Sequence, residues 1–228
     1  MRNMTNFGKI LCLILAMCML ASLPAYAAAG LPFDDVAANA WYRGSVQFVY
    51  DMGIMSGTAD DTFSPNMTTT RGMIVTILHR ISGEPEAKQT SDAFTDVTEN
   101  AYYAKAVAWA SESGIVNGYG NGKFGPNDPI TREQMASILC RYTDYCRFDT
   151  SNTAELSQFA DCESISGYAK KNMAWAVAEG LISGMGNDTL APRGLATRAQ
   201  VATIIARYLG LEFEPIGPSI GDNDLGWA

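Results

Sequence analysis

Three arginines at matching positions are the residues of this 228-residue chain whose type and spacing point most directly to chemistry. Arg71, Arg132 and Arg198 each follow a threonine that is suited to cap a helix, so each guanidinium lies in a first helical turn. The helix dipole makes a cation there unfavourable by roughly 0.3–1 kcal/mol. Because exposed N–H groups at a helix start and a guanidinium together form an anion site, the pattern predicts a negatively charged partner for each arginine.

Two kinds of partner satisfy this prediction. The internal one is a salt bridge to the aspartate near the beginning of each segment, Asp35, Asp96 or Asp161. The external one is the carboxylate or phosphate of a ligand that binds between lobes of the protein. The residues do not distinguish between these two partners. Both predictions are correct if the aspartate only orients an arginine that binds a ligand.

Aromatic residues stand near the same segments. Trp41, Tyr102 and Tyr168 occupy an equivalent place directly before a predicted helix. A flat ring beside a cation is a common way to bind a sugar that carries an acidic group, and the alternative is that these rings cap the core. Trp109 and Trp175 lie in the apolar face of a predicted helix, so we expect them in the core.

These residues recur because the chain contains one unit three times. The units open with FDDV at Phe33, FTDV at Phe94 and FADC at Phe159. In each unit a glycine precedes the arginine by 18 residues and is followed by an apolar pair, which is the Schellman signal for a helix end, at Gly53, Gly114 and Gly180. We therefore predict first helices at about Tyr42–Asp51, Tyr103–Glu112 and Ala169–Glu179.

A glycine-rich loop and a second helix complete each unit. The loop carries one apolar residue that we expect to pack onto the core, and we call these the plug residues: Phe63, Phe124 and Leu190. The second helix starts at Thr70, Thr131 or Thr197, with capping boxes formed by Gln134 and Gln200 and a one-sided cap at Met73. Because a lone two-helix unit buries too little apolar surface, we predict one compact all-α domain of three pseudo-equivalent lobes.

The beginning of the chain predicts export. Residues 1–27 read as a signal peptide, with a short basic region, an apolar run and a small-residue cleavage pattern. No other stretch is apolar and long enough to predict a membrane span once that peptide is removed. Removing Arg2 and Lys9 from the 16 basic residues leaves 14 against 24 acidic ones, a net charge of −10, which disfavours binding to nucleic acid.

The sequence offers no recognisable catalytic machinery. It contains no Ser-His-Asp set, metal cluster or phosphate loop, and paired carboxylates carry little weight in an acidic chain. His79 is the single histidine and lies in an apolar helix. One disulfide is possible among the three cysteines that follow the signal peptide, and none of them forms a CxxC pair: Cys140, Cys146 and Cys162. We therefore predict no enzyme activity, no catalytic residue, no metal and no cofactor.

The assembled motifs resemble the S-layer homology (SLH) domain. The family pattern runs from F-x-D-V through an aromatic residue and a helix to G-I-V-N-G-Y, G-x-F-x-P and I-T-R-A-E, and residues 94–134 match it almost end to end. The resemblance covers about residues 33–211, and it implies repeats at 33–82, 94–145 and 159–211 with a short polar tail at 212–228. It also implies a three-pronged spindle with pseudo-threefold symmetry around a central helical bundle.

The resemblance further implies a function at the cell surface. SLH triplets anchor proteins without covalent bonds to the bacterial cell wall by binding secondary cell wall polysaccharide, often through pyruvylated N-acetylmannosamine. The implied carbohydrate-binding residues are the arginine, the aromatic residue and the glycine of the N-G motif in each repeat: Arg71, Arg132, Arg198, Trp41, Tyr102, Tyr168, Gly57, Gly118 and Gly184. Alternatives are a structural or adaptor protein that binds surface-layer protein partners and, less favoured, a glycosidase.

This repeat set departs from the family pattern in each copy. Gly72-Met73 replaces a small residue followed by an acid or amide, and Tyr102 and Tyr168 replace the motif tryptophan. The asparagine of the N-G motif survives only as Asn117. We therefore expect the three grooves to bind unequally.

Overall fold

The computed structural model describes residues 30–88, 94–185 and 187–210. The predicted signal peptide (1–27) and the predicted polar tail (212–228) lie outside these residues. The described chain is helical and has no strand, which confirms the all-α class. Its six α-helices are α1 (Arg43–Asp51), α2 (Arg71–Ile81), α3 (Ala104–Glu112), α4 (Arg132–Tyr145), α5 (Lys170–Ala178) and α6 (Arg198–Tyr208), and a 3-10 turn covers Cys162–Ser164.

The first helix of each repeat ends as its glycine predicts. Gly53, Gly114 and Gly180 have positive φ angles of 66°, 71° and 68°, which an L-residue with a side chain rarely adopts. After α1, the N–H of Ile54 donates to Val49 and the N–H of Gly53 to Tyr50, the two bonds of a Schellman motif. The predicted core tryptophans of α3 and α5 are confirmed, since Trp109 is 3% and Trp175 0% exposed.

The second helix of each repeat starts at its predicted threonine. Thr131 and Thr197 form reciprocal capping boxes with Gln134 and Gln200. Thr70 accepts the N–H of Met73 but receives no side chain in return, so its cap is one-sided as predicted. The three arginines are therefore confirmed as the first residues of α2, α4 and α6.

Helices of different repeats pack against each other, and the described residues divide into two compact units. The first unit contains residues 30–67 and 197–210, where α1 packs against α6. The second contains residues 68–88, 94–185 and 187–196, where α2 packs against α3 and α4 against α5. In each pair, the second helix of one repeat contacts the first helix of another repeat. A repeat of the sequence is therefore not the unit of packing.

Within the second unit, three buried residues form a cycle of backbone hydrogen bonds. Thr69 donates to Ala196 over 2.9 Å, Ala196 donates to Ile130 over 3.1 Å, and Ile130 donates to Thr69 over 2.9 Å. These residues directly precede the threonine-arginine pair of each repeat. Because buried backbone groups must find partners, this cycle restricts the path of the chain just before each arginine.

The described residues carry few features other than packed helices and loops. No disulfide is formed among them, and Cys140 is buried. None of their helices is both long and apolar enough to cross a bilayer. No group of three or more metal-ligating side chains converges in the part of the chain that the structure describes.

Candidate functional site

The aspartate near the start of each repeat binds the loop of the same repeat. Both carboxylate oxygens accept backbone N–H groups from the plug residue and the residue after it. The distances are 2.8 and 2.7 Å for Asp35 (Phe63, Ser64), 2.8 and 2.8 Å for Asp96 (Phe124, Gly125), and 2.8 and 2.7 Å for Asp161 (Leu190, Ala191). Burial opposes ionisation of Asp96, but these N–H donors hold its pKa below the ordinary value.

The arginine from another repeat binds the carbonyl groups of that same loop. Its Nε donates to the plug residue, and its Nη2 donates to the residue before the motif glycine. The two distances are 3.0 and 3.0 Å for Arg71 (Phe124, Asn117), 2.7 and 2.9 Å for Arg132 (Leu190, Ser183), and 2.8 and 2.6 Å for Arg198 (Phe63, Ser56). We call this arrangement the arginine clamp.

For Arg71, the clamp takes the place of the internal salt bridge that the sequence left open. In the described ranges Arg71 forms no ion pair, and both carboxylate oxygens of Asp96 accept hydrogen bonds from backbone N–H groups of the loop. Aspartate and arginine therefore hold opposite polar groups of one plug residue, its N–H and its C=O. Hydrogen bonds with one charged partner are stronger than neutral ones. The aspartate and the arginine therefore both hold the plug residue firmly.

The expectation of exposed N–H groups at the helix start is wrong. The first two N–H groups of each second helix donate to carbonyls of a loop in another repeat, and the third donates to the capping threonine. The loop acceptors are Asp128 and Pro126 for α2, Gly194 and Pro192 for α4, and Met67 and Pro65 for α6, at 2.8–3.0 Å. Because these carbonyls cover the helix start, its N–H groups are not available to an anion.

Burial sets the electrostatic state of the arginines. Arg132 is 1% exposed, and burial lowers its pKa to about 10 while Asp161 opposes the shift. Burial also lowers the pKa of Arg71, which Tyr119, Asp128 and Tyr168 oppose. Arg71 and Arg198 retain somewhat more exposure, 6% and 7%. Arginine side chains keep their charge at neutral pH, so each clamp contains a cation.

The motif glycines occupy crowded positions. A Cβ on Gly57 would lie 2.6 Å from the ring of Phe33 and 2.8 Å from the carbonyl of Thr62. The equivalent atom on Gly184 would lie 3.1 Å from Phe159, and Gly118 is packed against Phe94 in the same way. These glycines let the opening phenylalanine of the repeat pack directly on the loop backbone.

The aromatic residues before the first helices are accessible. Tyr102 is 63% and Tyr168 54% exposed, so these two rings do not cap the core. Trp41 is half-buried, with its ring edge-on to Tyr42 at 5.2 Å. Tyr102 makes a similar contact with Tyr103 at 4.9 Å.

The structure surrounds Arg71 with rings from the second unit. The Cζ atom of Arg71 lies 4.9 Å from the ring centroid of Tyr119 and 4.7 Å from that of Phe124. The hydroxyl of Tyr119 donates to Asp128 over 2.9 Å, and Tyr168 lies close enough to interact electrostatically with Arg71. We call Arg71, Tyr119, Phe124, Asp128 and Tyr168 the Arg71 site.

Sequence reasoning missed two members of this neighbourhood, Tyr119 and Glu133. Tyr119 is the aromatic residue that follows the N-G pair in the second repeat, where the other repeats have Thr58 and Met185. Glu133 is an acid in the position that Gly72 occupies in the first repeat. Both departures between repeats are readable signals, but their consequence depends on contacts with distant residues.

Glu133 is a buried carboxylate that holds the turn before α5. It is 5% exposed and accepts the N–H of Ser166 at 2.9 Å, the hydroxyl of Ser166 at 2.7 Å and the hydroxyl of Tyr168 at 3.3 Å. Burial and then Glu133 raise the pKa of Tyr168. The carboxylate thereby links the start of α4 to an exposed ring of the Arg71 site.

Comparison with known proteins identifies the family. The family model of the S-layer homology domain matches residues 32–72, 93–136 and 158–202, together more than half of the chain. This protein therefore belongs to the S-layer homology domain family, with three tandem matches.

Its relatives include enzymes and surface proteins. An endoglucanase of Bacillus sp. (strain KSM-635) is 34% identical over 178 residues, which cover 78% of this chain and 19% of that enzyme. The surface-layer 125 kDa protein of Lysinibacillus sphaericus is 32% identical over 194 residues, 83% of this chain and 16% of the relative. S-layer protein sap of Bacillus anthracis is 29% identical over 209 residues, 91% and 25% respectively. The chain spans a quarter or less of each of these relatives.

Proposed function

We propose that this protein is exported and anchors itself to the bacterial cell wall by binding secondary cell wall polysaccharide. Membership of the S-layer homology family supports attachment to the cell surface. The similarity to named surface-layer proteins supports the same conclusion. The proposed ligand is an acidic sugar of that polymer, with pyruvylated N-acetylmannosamine as the first candidate.

The observation that carries the proposal is the environment of Arg71. Two nitrogens of this buried cation donate to backbone carbonyls, while the ring of Tyr119, which is 49% exposed, lies beside it. A pyranose presents an apolar face that packs on such rings, and its carboxylate takes a charge-assisted hydrogen bond from the exposed edge of the guanidinium. The clamp therefore places the cation before the ligand arrives, which reduces the cost of ordering on binding.

The Arg132 and Arg198 sites are proposed as weaker sites for the same polymer. Each repeats the clamp, next to Gly184 and Gly57 respectively. The plug residue of the Arg132 site is Leu190, so that site lacks the ring which Phe124 and Phe63 supply in the other two. We expect the Arg71 site, with Gly118, Tyr119 and Tyr168, to dominate binding.

The protein is proposed to act by binding and not by catalysis. The two glucanase relatives match this chain over 19% and 16% of their length. So short a match does not support glucanase activity in this chain. The three family matches cover roughly three quarters of the described residues. A hydrolysis assay on the same wall material tests the alternative of glycosidase activity, and we expect no release of sugar.

A pull-down on purified sacculi tests the proposal. The chain without residues 1–27 should bind intact sacculi, lose binding after acid removal of the polysaccharide, and be displaced by pyruvylated N-acetylmannosamine but not by N-acetylmannosamine. The unmodified sugar is the matched control, because it differs only in the acidic group. Binding that persists on stripped sacculi would instead support peptidoglycan or a surface-layer protein as the partner.

A further inference from the structure

We infer that Tyr119 is an additional ligand-contacting residue of the Arg71 site and that Asp128 is the positioning residue that holds its ring. The inference rests on the proposed function and specifies which side chains make one of the three sites the strongest. Three independent features of the second repeat carry it: the fixed hydroxyl, the ring beside the guanidinium, and a glycine that makes room for both.

The ring of Tyr119 is held by its hydroxyl and lies beside the guanidinium of Arg71. Its hydroxyl donates to Oδ2 of Asp128 over 2.9 Å, its backbone N–H donates to Lys123 over 2.8 Å, and its centroid lies 4.9 Å from Cζ of Arg71. The side chain nevertheless stays 49% exposed. An exposed ring that is already immobilised loses little side-chain entropy when a ligand packs on it, so it is a favourable contact surface.

Asp128 joins this ring to the helix start. Its backbone carbonyl accepts the N–H of Arg71 over 3.0 Å, while its carboxylate holds Tyr119. The position of the ring is therefore set relative to the arginine by one residue that contacts both.

Gly125 shows that the arrangement needs space. It has a φ of 72°, and a Cβ there would collide with Oδ2 of Asp128 and with the ring of Tyr119. The other repeats have Ser64 and Ala191 at this place, with φ angles of 59° and 46° that are costly for residues other than glycine.

The trio Tyr119, Gly125 and Asp128 occurs in one repeat only. The equivalent residues are Thr58, Ser64 and Met67 in the first repeat and Met185, Ala191 and Gly194 in the third. In the first repeat the hydroxyls of Thr58 and Ser64 hydrogen-bond each other at 2.7 Å, so a short polar pair replaces the tethered ring. The Arg71 site is therefore the one that offers a tyrosine face at this position.

The chemistry of the site indicates the class of ligand. The ring face suits the apolar side of a pyranose, the guanidinium suits one carboxylate, and Asp128 places a negative charge beside that cation. A ligand with several closely spaced anionic groups would meet repulsion from Asp128. The geometry points to a sugar that carries a single acidic group.

Affinity for intact sacculi, measured with Tyr119 and Asp128 variants, tests the inference. Tyr119→Ala should weaken binding roughly ten-fold because the ring contact is lost. Tyr119→Phe removes the donor of the tether and Asp128→Ala removes its acceptor, and each should weaken binding roughly three-fold. The double variant Tyr119→Phe with Asp128→Ala should bind no more weakly than the more affected single variant, because both substitutions remove the same interaction.

Matched controls are available in the other repeats. Thr58→Ala and Met185→Ala alter the equivalent loop positions and should leave affinity within about two-fold of the unmodified chain. Equal losses for Tyr119→Ala and Met185→Ala would overturn the inference, as would additive losses in the double variant. Thermal unfolding of every variant identifies a loss of folded protein, and Tyr119→Phe keeps the inference testable if Tyr119→Ala unfolds.

The experiment separates this inference from the proposed function. If the unmodified chain fails to bind intact sacculi or binds stripped sacculi equally well, the proposed function is wrong. If it binds with the expected dependence on the polymer and Tyr119→Ala binds equally well, only the role of Tyr119 is wrong.

Discussion

The Arg71 and Arg132 sites share one clamp but have different surroundings. In both, Nε and Nη2 of the arginine hold two loop carbonyls at 2.7–3.0 Å. Arg71 is followed by Gly72 and lies beside two aromatic rings, whereas Arg132 is followed by the buried acid Glu133 and clamps Leu190. The comparison separates what the arginine does for folding from what its neighbours add for binding.

The shared part is structural. A clamp that joins a helix of one repeat to the loop of another is needed wherever the fold is formed, irrespective of a ligand. The repeated arginine therefore does not by itself mark a binding site. The side chains that differ between repeats, such as Tyr119 and Glu133, are the ones through which binding can differ.

The largest expected effect is on stability and falls on Arg132. Arg132→Ala leaves two loop carbonyls without their donor, together with a cavity, and should reduce the free energy of unfolding by roughly 3–5 kcal/mol. Arg71→Ala should cost somewhat less, roughly 2–3 kcal/mol, because Arg71 is more exposed, but it should weaken wall binding more than Arg132→Ala does. Urea unfolding and sacculus binding measure the two effects. An equal loss of binding from both variants, at equal fractions folded, would contradict the difference between the sites.

The next effect concerns Glu133. Glu133→Ala removes the acceptor of a backbone N–H and two hydroxyls, and it should lower the free energy of unfolding by roughly 1–3 kcal/mol. Glu163→Ala is the matched control, since Glu163 pairs with Lys170 over 3.4 Å and its side chain is 88% exposed, and it should change stability by less than about 0.5 kcal/mol. Indistinguishable urea midpoints for these variants would show that the buried carboxylate does not hold the turn before α5.

A smaller effect should appear in acid. The pKa of folded Asp96 lies below the ordinary value of 3.8, so its contribution to stability is present above pH 3.8 and is lost as the pH falls through the lower folded value. Asp96→Asn should therefore destabilise the protein at pH 6 but reduce the loss of stability on acidification below about pH 4. The measurement is the unfolding free energy as a function of pH. An unchanged acid slope would show that Asp96 does not contribute through ionisation.

The smallest effect concerns the helix caps beside the two sites. The cap of α4 is reciprocal, whereas the cap of α2 is one-sided because Met73 replaces the glutamine. Met73→Gln should complete the box and raise the free energy of unfolding by roughly 0.5 kcal/mol, and Gln134→Ala should lower it by a similar amount. Opposite shifts in the thermal midpoint confirm this. Shifts of the same sign would rule out the capping box as their cause.

Local patterns predicted much of the fold. The glycine and apolar pair after α1, the threonine caps of α2 and α4, and the plug position of Phe124 all occur where expected. Each is decided by neighbours within a few residues, so a single sequence contains the needed information. The predicted binding residues remain predictions, and the contacts of Tyr119 and Glu133 beside them became visible only in the structure.

The helices, their ends and the threefold recurrence can be read from the sequence, because backbone propensity and capping act within one or two helical turns. The tertiary structure decided the partner of each arginine. Arg71 meets Phe124 across 53 residues of chain, and Arg198 meets Phe63 across 135. The covering of the helix N–H groups and the ring beside Arg71 were decided in the same way. Helix pairing across repeats brings these groups together, and no local pattern within one repeat specifies such a contact.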